Sequence, residues 1–332
     1  MKLPPFIILE PGTKKSALTA LDKYRNRSKI IAGGTEVVVM LKLGLLSPSY
    51  LISLRNIRCL NGIRKTKNEV IIGSTTTINE IIQSRLMNKY FKGIIKAAKS
   101  LAAPPIQNRA TIGGNVLQNT RCIYFNQSEL FRNGLKPCFK AGGNICHAIK
   151  GGKNCFSVYQ SDMAPALISF NSKVKLEKKG SCRVILLSDI FTGKGENPFL
   201  IEDNELLTEF IIPLPDGKCS SSYEKLRIRS GLEYPLVSVA VSILRNKDKR
   251  LDDLRIIIGA AGSAPKIIEN VSSYLKGGYP SIEDIGKIVS LAEDLTEFVN
   301  NLSIPGAYRR KLLKVLIKRA IQIAFQDVER GS

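Results

Sequence analysis

The chain reads as an α+β protein built from two or three compact units. Three observations predict this. Short strands alternate with helices through the first fifty or so residues; paired strands replace them from Gly62; and beyond Pro213-Leu214-Pro215-Asp216-Gly217 strands come first and helices last. With 332 residues the chain can hold more than one sizeable core.

The elements follow from hydrophobic period and turn chemistry. Phe6-Ile7-Ile8-Leu9 is extended, Lys14 to Tyr24 has helical period, and Lys29-Ile30-Ile31-Ala32 is a buried-looking strand. Thr35 opens a helix running to about Lys42, and Tyr50-Leu51-Ile52-Ser53 is another strand. This gives a small α/β unit over residues 1–55. A larger unit over 56–217 contains the strand pairs Ile63 to Lys65 with Val70 to Gly73 and Val174 to Leu176 with Val184 to Leu186. Its helices run over Ile78 to Gln83, Tyr90 to Ala102 and Asp162 to Ile168. The last unit, 218–332, has three strands, Tyr223 to Arg229, Val237 to Leu244 and Leu254 to Ile258, followed by helices.

Composition narrows the function. There are 50 Lys plus Arg against 28 Asp plus Glu, a formal charge of +22. Such a surface attracts acidic partners and polyanions without defining a fold. The basic residues are dispersed, the chain has no Trp, and no zinc-finger spacing or aromatic-and-basic strand signature is present, so nucleic-acid binding is not expected. The densest run, Arg309-Arg310-Lys311 with Lys314, Lys318 and Arg319, falls on the polar face of an amphipathic C-terminal helix and reads as solvated. Met1 to Glu10 lacks a basic region followed by an apolar run, and no apolar run approaches the roughly 18 residues of a membrane span. The expectation is a soluble cytoplasmic protein without membrane contact.

Four of the seven cysteines, Cys122, Cys138, Cys146 and Cys155, fall in one Gly- and Lys-rich segment with little apolar periodicity. Such a loop has scant core of its own and needs a metal to order it. Iron–sulfur clusters take four thiolates. Structural zinc and incidental buried thiols compete with that reading, although the CxxC pairs usual for zinc are missing. Cys59, Cys182 and Cys219 have no such neighbours, and His147, the one histidine, abuts Cys146 without being needed as a ligand.

Two glycine turns bear on cofactor binding. Ala32-Gly33-Gly34-Thr35-Glu36 lies between a strand and a helix start, where paired glycines can turn backbone amides toward one point, an arrangement suited to a pyrophosphate. Thr111-Ile112-Gly113-Gly114-Asn115 repeats the pattern, and between them Gly73-Ser74-Thr75-Thr76-Thr77-Ile78-Asn79-Glu80-Ile81 places four hydroxyls ahead of a helix. A tight turn or a helix cap explains each alone. Neither glycine pair fits the GxGxxG of a Rossmann fold.

The order AGGTE, GSTTTINEI, ATIGGN and SDMAPAL resembles the FAD-binding subunit or domain of the molybdenum hydroxylase family, which includes xanthine dehydrogenase and aerobic carbon monoxide dehydrogenase. The resemblance covers nearly the whole chain. It implies a two-part FAD-binding domain of the PCMH or vanillyl-alcohol-oxidase-like type, followed by an α+β flavoprotein C-terminal domain with a three-stranded sheet. It also implies that Ile31, Ala32, Gly33, Gly34, Thr35 and Glu36 bind FAD, with Thr76 and the neighbouring hydroxyls near the flavin and Thr111, Gly113, Gly114 and Asn115 as a second contact loop. Asp162 would hydrogen-bond the cofactor, and Leu207 and Lys225 match further family contacts. In most members the Asp soon follows the GGN turn, whereas here an insert at about 119–158 separates Asn115 from Asp162. That insert is similar to the 4-hydroxybenzoyl-CoA reductase branch, which implies a 4Fe-4S cluster on Cys122, Cys138, Cys146 and Cys155. Partner subunits with 2Fe-2S clusters and a molybdenum cofactor, and a ferredoxin-like electron donor, follow from the same likeness. The rival within the family is a hydroxylase flavin subunit passing electrons to NAD or a quinone; the rival outside it is a basic nucleic-acid-binding or zinc-stabilised module.

Overall fold

The structure, a computed structural model, describes residues 3–229, 231, 233–245, 251–274 and 279–330; the chain ends Met1, Lys2, Gly331 and Ser332 lie outside this set. Three sheets organise it, each over its own stretch of chain.

The first contains β1 (Ile7–Leu9), α1 (Lys14–Tyr24), β2 (Ser28–Ile31), α2 (Val37–Lys42) and β3 (Tyr50–Ser53). All pairing is parallel in the order β1-β3-β2. Thr13 caps α1 by accepting from the Ser16 amide, while Ser16 accepts from Thr13 in return. The helix then buries Ala17, Leu18 and Leu21 against Ile52, Leu54, Ile57 and Leu60. The second helix starts at Val37 rather than Thr35. Gly34, at φ +75°, holds a left-handed turn that carries Thr35 and Glu36 ahead of the first helical residue.

The second sheet spans β4 (Ile63–Lys65), β5 (Glu69–Gly73), β6 (Lys173–Lys178), β7 (Ser181–Leu186) and β8 (Leu206–Pro213), all antiparallel in the order β4-β5-β8-β6-β7. Between β5 and β6 lie α3 (Ile78–Gln83), α4 (Arg85–Tyr90), α5 (Lys92–Ser100), α6 (Pro104–Gln107), α7 (Ile112–Val116), α8 (Glu129–Asn133) and α9 (Met163–Ile168). Sequence reading gives one helix over Tyr90 to Ala102, yet two helices meet at Phe91. That residue is non-helical (φ −134°, ψ 56°) because its ring is fully buried, edge-on to Phe170 at 5.0 Å. Core packing outweighs local propensity here. The strand that sequence reading omits, β8, is the central one and joins the two hairpins.

The third sheet is β9 (Lys218–Leu226), β10 (Val237–Arg245), β11 (Leu251–Gly259) and β12 (Lys266–Ile268), antiparallel in the order β12-β11-β10-β9, followed by α10 (Val271–Tyr274), α11 (Ile282–Leu295) and α12 (Gly306–Arg330). It has four strands where three were expected; the short β12 has too few residues to show a period. Both faces of β10 are covered. Val237, Val239, Val241 and Ile243 join Leu313, Ile317, Ile321 and Phe325 in one core, while Ala240 belongs to the core of the second unit. Period-2 alternation puts successive residues on opposite faces, so one strand ties two cores together. On α12, Arg310, Lys311, Lys314, Lys318 and Arg319 are exposed as the amphipathic pattern requires, but Arg309 is fully buried. Its guanidinium donates to the Val299 carbonyl and stacks on Phe298, and burial pushes it down to about 10. Among the described residues no helix is long and apolar enough to cross a membrane.

Candidate functional site

A cleft of about 390 Å³ lies among the β2–α2 turn, the α7 region and the segment leading into β8. Its walls include Gly33, Gly34, Thr35, Glu36, Ser74, Thr111, Gly113, Gly114, Asn119 and Leu207. The glycines are there because three loops converge. A Cβ on Gly33 would sit 1.9 Å from the Arg109 carbonyl oxygen, and one on Gly113 would sit 2.7 Å from that of Ser74. Backbone hydrogen bonds then fasten the 73–78 loop to the 110–113 loop: Ile112 donates to Thr76, Gly113 to Ser74 and Ile78 to Ala110, each at 2.9 Å.

This arrangement separates the two glycine turns. The Gly113 amide is taken by Ser74, and the Gly114 amide donates to Thr111 Oγ1 at 3.1 Å. The amides of Gly33, Gly34, Thr35 and Glu36, by contrast, donate to no acceptor among the described residues. Ser74 Oγ is buried in the cleft wall with no partner among the described residues, as is Glu36 Oε1. A turn of free amides beside an orphaned hydroxyl is a receptor for an anionic group, and the Leu206 and Leu207 side chains supply apolar surface next to it. These residues fit a dinucleotide bound through its phosphates. Of Thr76 and its neighbouring hydroxyls, which the sequence singles out together, it is Ser74, directly after β5, that lines the cleft.

The other sequence-selected residues lie apart from the cleft lining. Thr76 is fully buried, accepts from the Gly62 amide at 2.9 Å and donates to the Gly62 carbonyl at 3.2 Å, a structural bracket between loops. Asn115 Oδ1 accepts from Ser161 Oγ at 2.7 Å and the Met163 amide at 3.1 Å, clamping the start of α9 across the base of the insert. Asp162 Oδ1 accepts from Lys225 Nζ at 2.9 Å and Tyr223 Oη at 2.7 Å. Burial raises the Asp162 carboxyl above the usual carboxylate range, against the Lys225 ammonium that lowers it. Ile31 ends β2 just before the turn.

The insert has little regular structure: α8, a 3₁₀ turn at Phe139–Ala141 and the isolated bridges Arg121 with Val158 and Cys138 with Ile145. Cys122, Cys138, Cys146 and Cys155 nevertheless all line one small cavity, with Tyr124, Phe125 and Ile145 among its other walls. Among the described residues no group of three or more His, Cys, Asp or Glu is gathered to hold a metal ion. All seven cysteines are free thiols. Cys59 and Cys182 are exposed, and burial pushes the Cys219 thiol up to about 12; none of the three lines the cavity. His147 is at the cavity edge, its Nε2 2.9 Å from the Lys136 carbonyl.

Two side-chain contacts bridge the cysteine segment and the cleft. Arg121, next to Cys122, pairs with Glu36 of the cleft and stacks 3.8 Å over Tyr234. Lys140, two residues after Cys138, donates to Asn119 Oδ1 of the cleft at 2.8 Å.

A parallel α/β unit and an antiparallel sheet meeting at an anion-receiving cleft, backed by a third sheet, define a flavoprotein of the two-part FAD-binding kind. The chain belongs to the family of FAD-binding domains in molybdopterin dehydrogenases, whose model matches residues 4–215, and a CO dehydrogenase flavoprotein C-terminal domain matches 221–324. It is 27% identical to the aldehyde oxidoreductase FAD-binding subunit of Escherichia coli (strain K12) over 77% of this chain and 82% of that one. It is 26% identical to the carbon monoxide dehydrogenase medium chain of Afipia carboxidovorans over 95% and 94% of the two chains. A crystal structure of a Cu,Mo-CO dehydrogenase in its cyanide-inactivated form contains a chain that superposes with a TM-score of 0.79 at 25% identity, covering 98% of this chain and 99% of that one.

Proposed function

We propose that this chain is the electron-transfer flavoprotein subunit of a molybdenum enzyme, that it holds a 4Fe-4S cluster in addition to FAD, and that the enzyme is 4-hydroxybenzoyl-CoA reductase. One observation carries the reading: the four cysteines of the insert line one cavity, and Lys140 of that cavity hydrogen-bonds Asn119 of the cleft. An all-thiol donor set around one cavity suits iron–sulfur chemistry, whose clusters take four thiolates.

The free amides of Gly33, Gly34, Thr35 and Glu36 receive the FAD pyrophosphate, with Ser74 Oγ as a further donor. Thr111, Gly113, Gly114 and Leu207 shape the opposite wall, and Ile31 and Ala32 set the entry of the turn. Thr76, Asn115, Asp162 and Lys225 act behind the wall and hold the loops in place. Bound FAD supplies a carrier able to exchange electrons singly or in pairs. The boundaries near residues 55 and 217 separate the two parts of the FAD-binding domain and the C-terminal domain. The partners are a molybdenum-cofactor subunit and a 2Fe-2S subunit, and the donor is an acidic ferredoxin-like protein drawn by the +22 chain. The net reaction takes two electrons and two protons and converts 4-hydroxybenzoyl-CoA to benzoyl-CoA and water. The named relatives favour a second reading, a hydroxylase in which electrons leave through the flavin to NAD or a quinone.

The purified complex, reduced anaerobically with dithionite and given 4-hydroxybenzoyl-CoA, should release benzoyl-CoA. Failure to do so, together with NAD or quinone reduction driven by a purine or an aldehyde, would select the second reading.

A further inference from the structure

The ammonium of Lys140 occupies an unusual position. It donates to Asn119 Oδ1 at 2.8 Å, the Thr120 carbonyl at 2.9 Å and the Gly195 carbonyl at 3.0 Å, and it also contacts Thr120 Oγ1. Thr120 and Ser157, which complete this nest, are buried. Every one of these partners is neutral, and no carboxylate pairs with Lys140 among the described residues. A cation held in such a nest needs a compensating negative charge. On its other side lies the cysteine cavity, which Lys140 lines together with Cys122, Cys138 and Cys155. Cys155 Sγ itself donates to Ser157 Oγ at 3.2 Å, so the cavity and the nest are one connected polar network. Asn119 carries that network into the cleft wall.

We propose that Lys140 is a positioning and charge-compensating residue: it ties the cysteine insert to the wall of the cleft and makes the cysteine-held centre easier to reduce. This rests on the iron–sulfur reading above. When the centre takes one electron from an external donor it becomes more negative by one unit, no bond is made or broken, and a nearby fixed cation stabilises the added charge. At an effective dielectric of about 20, one such charge shifts the equilibrium by on the order of tenfold from about 12 Å away and by more from closer in.

The test uses the full chain purified anaerobically and titrated with dithionite and mediators, with the reduced centre followed by electron paramagnetic resonance. At a fixed potential, Lys140→Met should lower the reduced-to-oxidised ratio at least about tenfold, equivalent to about 59 mV or more for a one-electron couple. Lys140→Arg, which keeps the charge, should remain within about twofold of wild type. Should Lys140→Met fail to retain iron, Asn119→Asp decides: it is nearly isosteric, places a carboxylate on the ammonium and should lower the ratio in the same direction. An unchanged ratio in Lys140→Met, or in Asn119→Asp where the first variant lacks iron, with wild-type iron content would overturn the role of Lys140. Absence of iron and sulfide from the wild-type protein would instead overturn the iron–sulfur reading on which it stands.

Discussion

Replacing Lys225 by Met should destabilise the protein in a pH-dependent way. Lys225 Nζ and Asp162 Oδ1 are 2.9 Å apart, and both side chains are only 3% exposed. The same ammonium also satisfies the carbonyls of Ser100 at 2.9 Å and Glu233 at 3.1 Å. Met keeps much of the aliphatic stem but leaves Asp162 buried with Tyr223 as its remaining partner. Breaking a buried pair from one side costs about 3–5 kcal/mol. The Asp162 carboxyl already lies above the usual range because it is buried, and removing the ammonium raises it further. For a group whose native pKa is raised, the stabilising contribution is complete below the unfolded value and is lost as pH rises. The variant should therefore lose about 1.4 kcal/mol per pH unit from pH 5 upward until the native carboxyl ionises. Urea unfolding at pH 5.5, 6.5 and 7.5, followed by circular dichroism, measures this. The double variant Asp162→Asn/Lys225→Met should recover much of the loss and remove the slope. FAD should remain bound to folded Lys225→Met protein, because neither residue lines the cleft. A loss below about 1 kcal/mol, a pH-independent loss, or release of FAD from an otherwise stable variant would refute the reasoning.

Two other outcomes follow from the same geometry. Gly114→Leu should abolish FAD loading while leaving the fold intact, since an added Cβ meets only Thr111 Oγ1 at 3.0 Å and the side chain enters the cleft; Gly33→Ala should instead destabilise the fold, its Cβ being driven against the Arg109 carbonyl. FAD released by heat and circular dichroism separate the two effects. Burial alone would raise Glu177 and Glu205, but hydrogen bonds from Lys14 and Thr208 to the first and from Arg183 to the second hold both below their ordinary 4.5. Depressed carboxyls stabilise above the unfolded value and lose that contribution as pH falls through the native one, so the stability gap between wild type and Glu177→Gln should shrink as pH drops from 6 to 3.

Much of this architecture was legible in the sequence because it rests on local signals. Thr13 and Thr77 cap their helices through nearby residues, and the helices Lys14–Tyr24 and Ile78–Gln83 run as the period requires. What local signals could not provide was long-range competition. Phe91 breaks a helix because the core claims its ring, and β8 exists because β5 and β6 lie on either side of it. Arg309 sits in a basic run yet is buried, since Val299 and Phe298 reach it from another segment. At the cleft, the glycine turns were readable but their division of labour was not. Only the packing of Ser74 against Gly113 shows that one turn has spent its amides and the other has kept them. The grouping of four cysteines was plain in sequence, whereas the contact of Lys140 with both cavity and cleft depends on chain folding.

The most direct measurement is the stoichiometry of FAD, iron and acid-labile sulfide in a single anaerobic preparation of wild type and of Cys122→Ser, Cys138→Ser, Cys146→Ser and Cys155→Ser. One FAD with about four irons and four sulfides per chain is expected in wild type, since a cubane cluster is bound by four cysteines. Each serine variant should lose or destabilise the cluster while keeping FAD, because an alkoxide replaces a thiolate poorly. Cys59→Ser and Cys182→Ser should match wild type. Zinc without sulfide, or full iron in Cys138→Ser, would contradict the account.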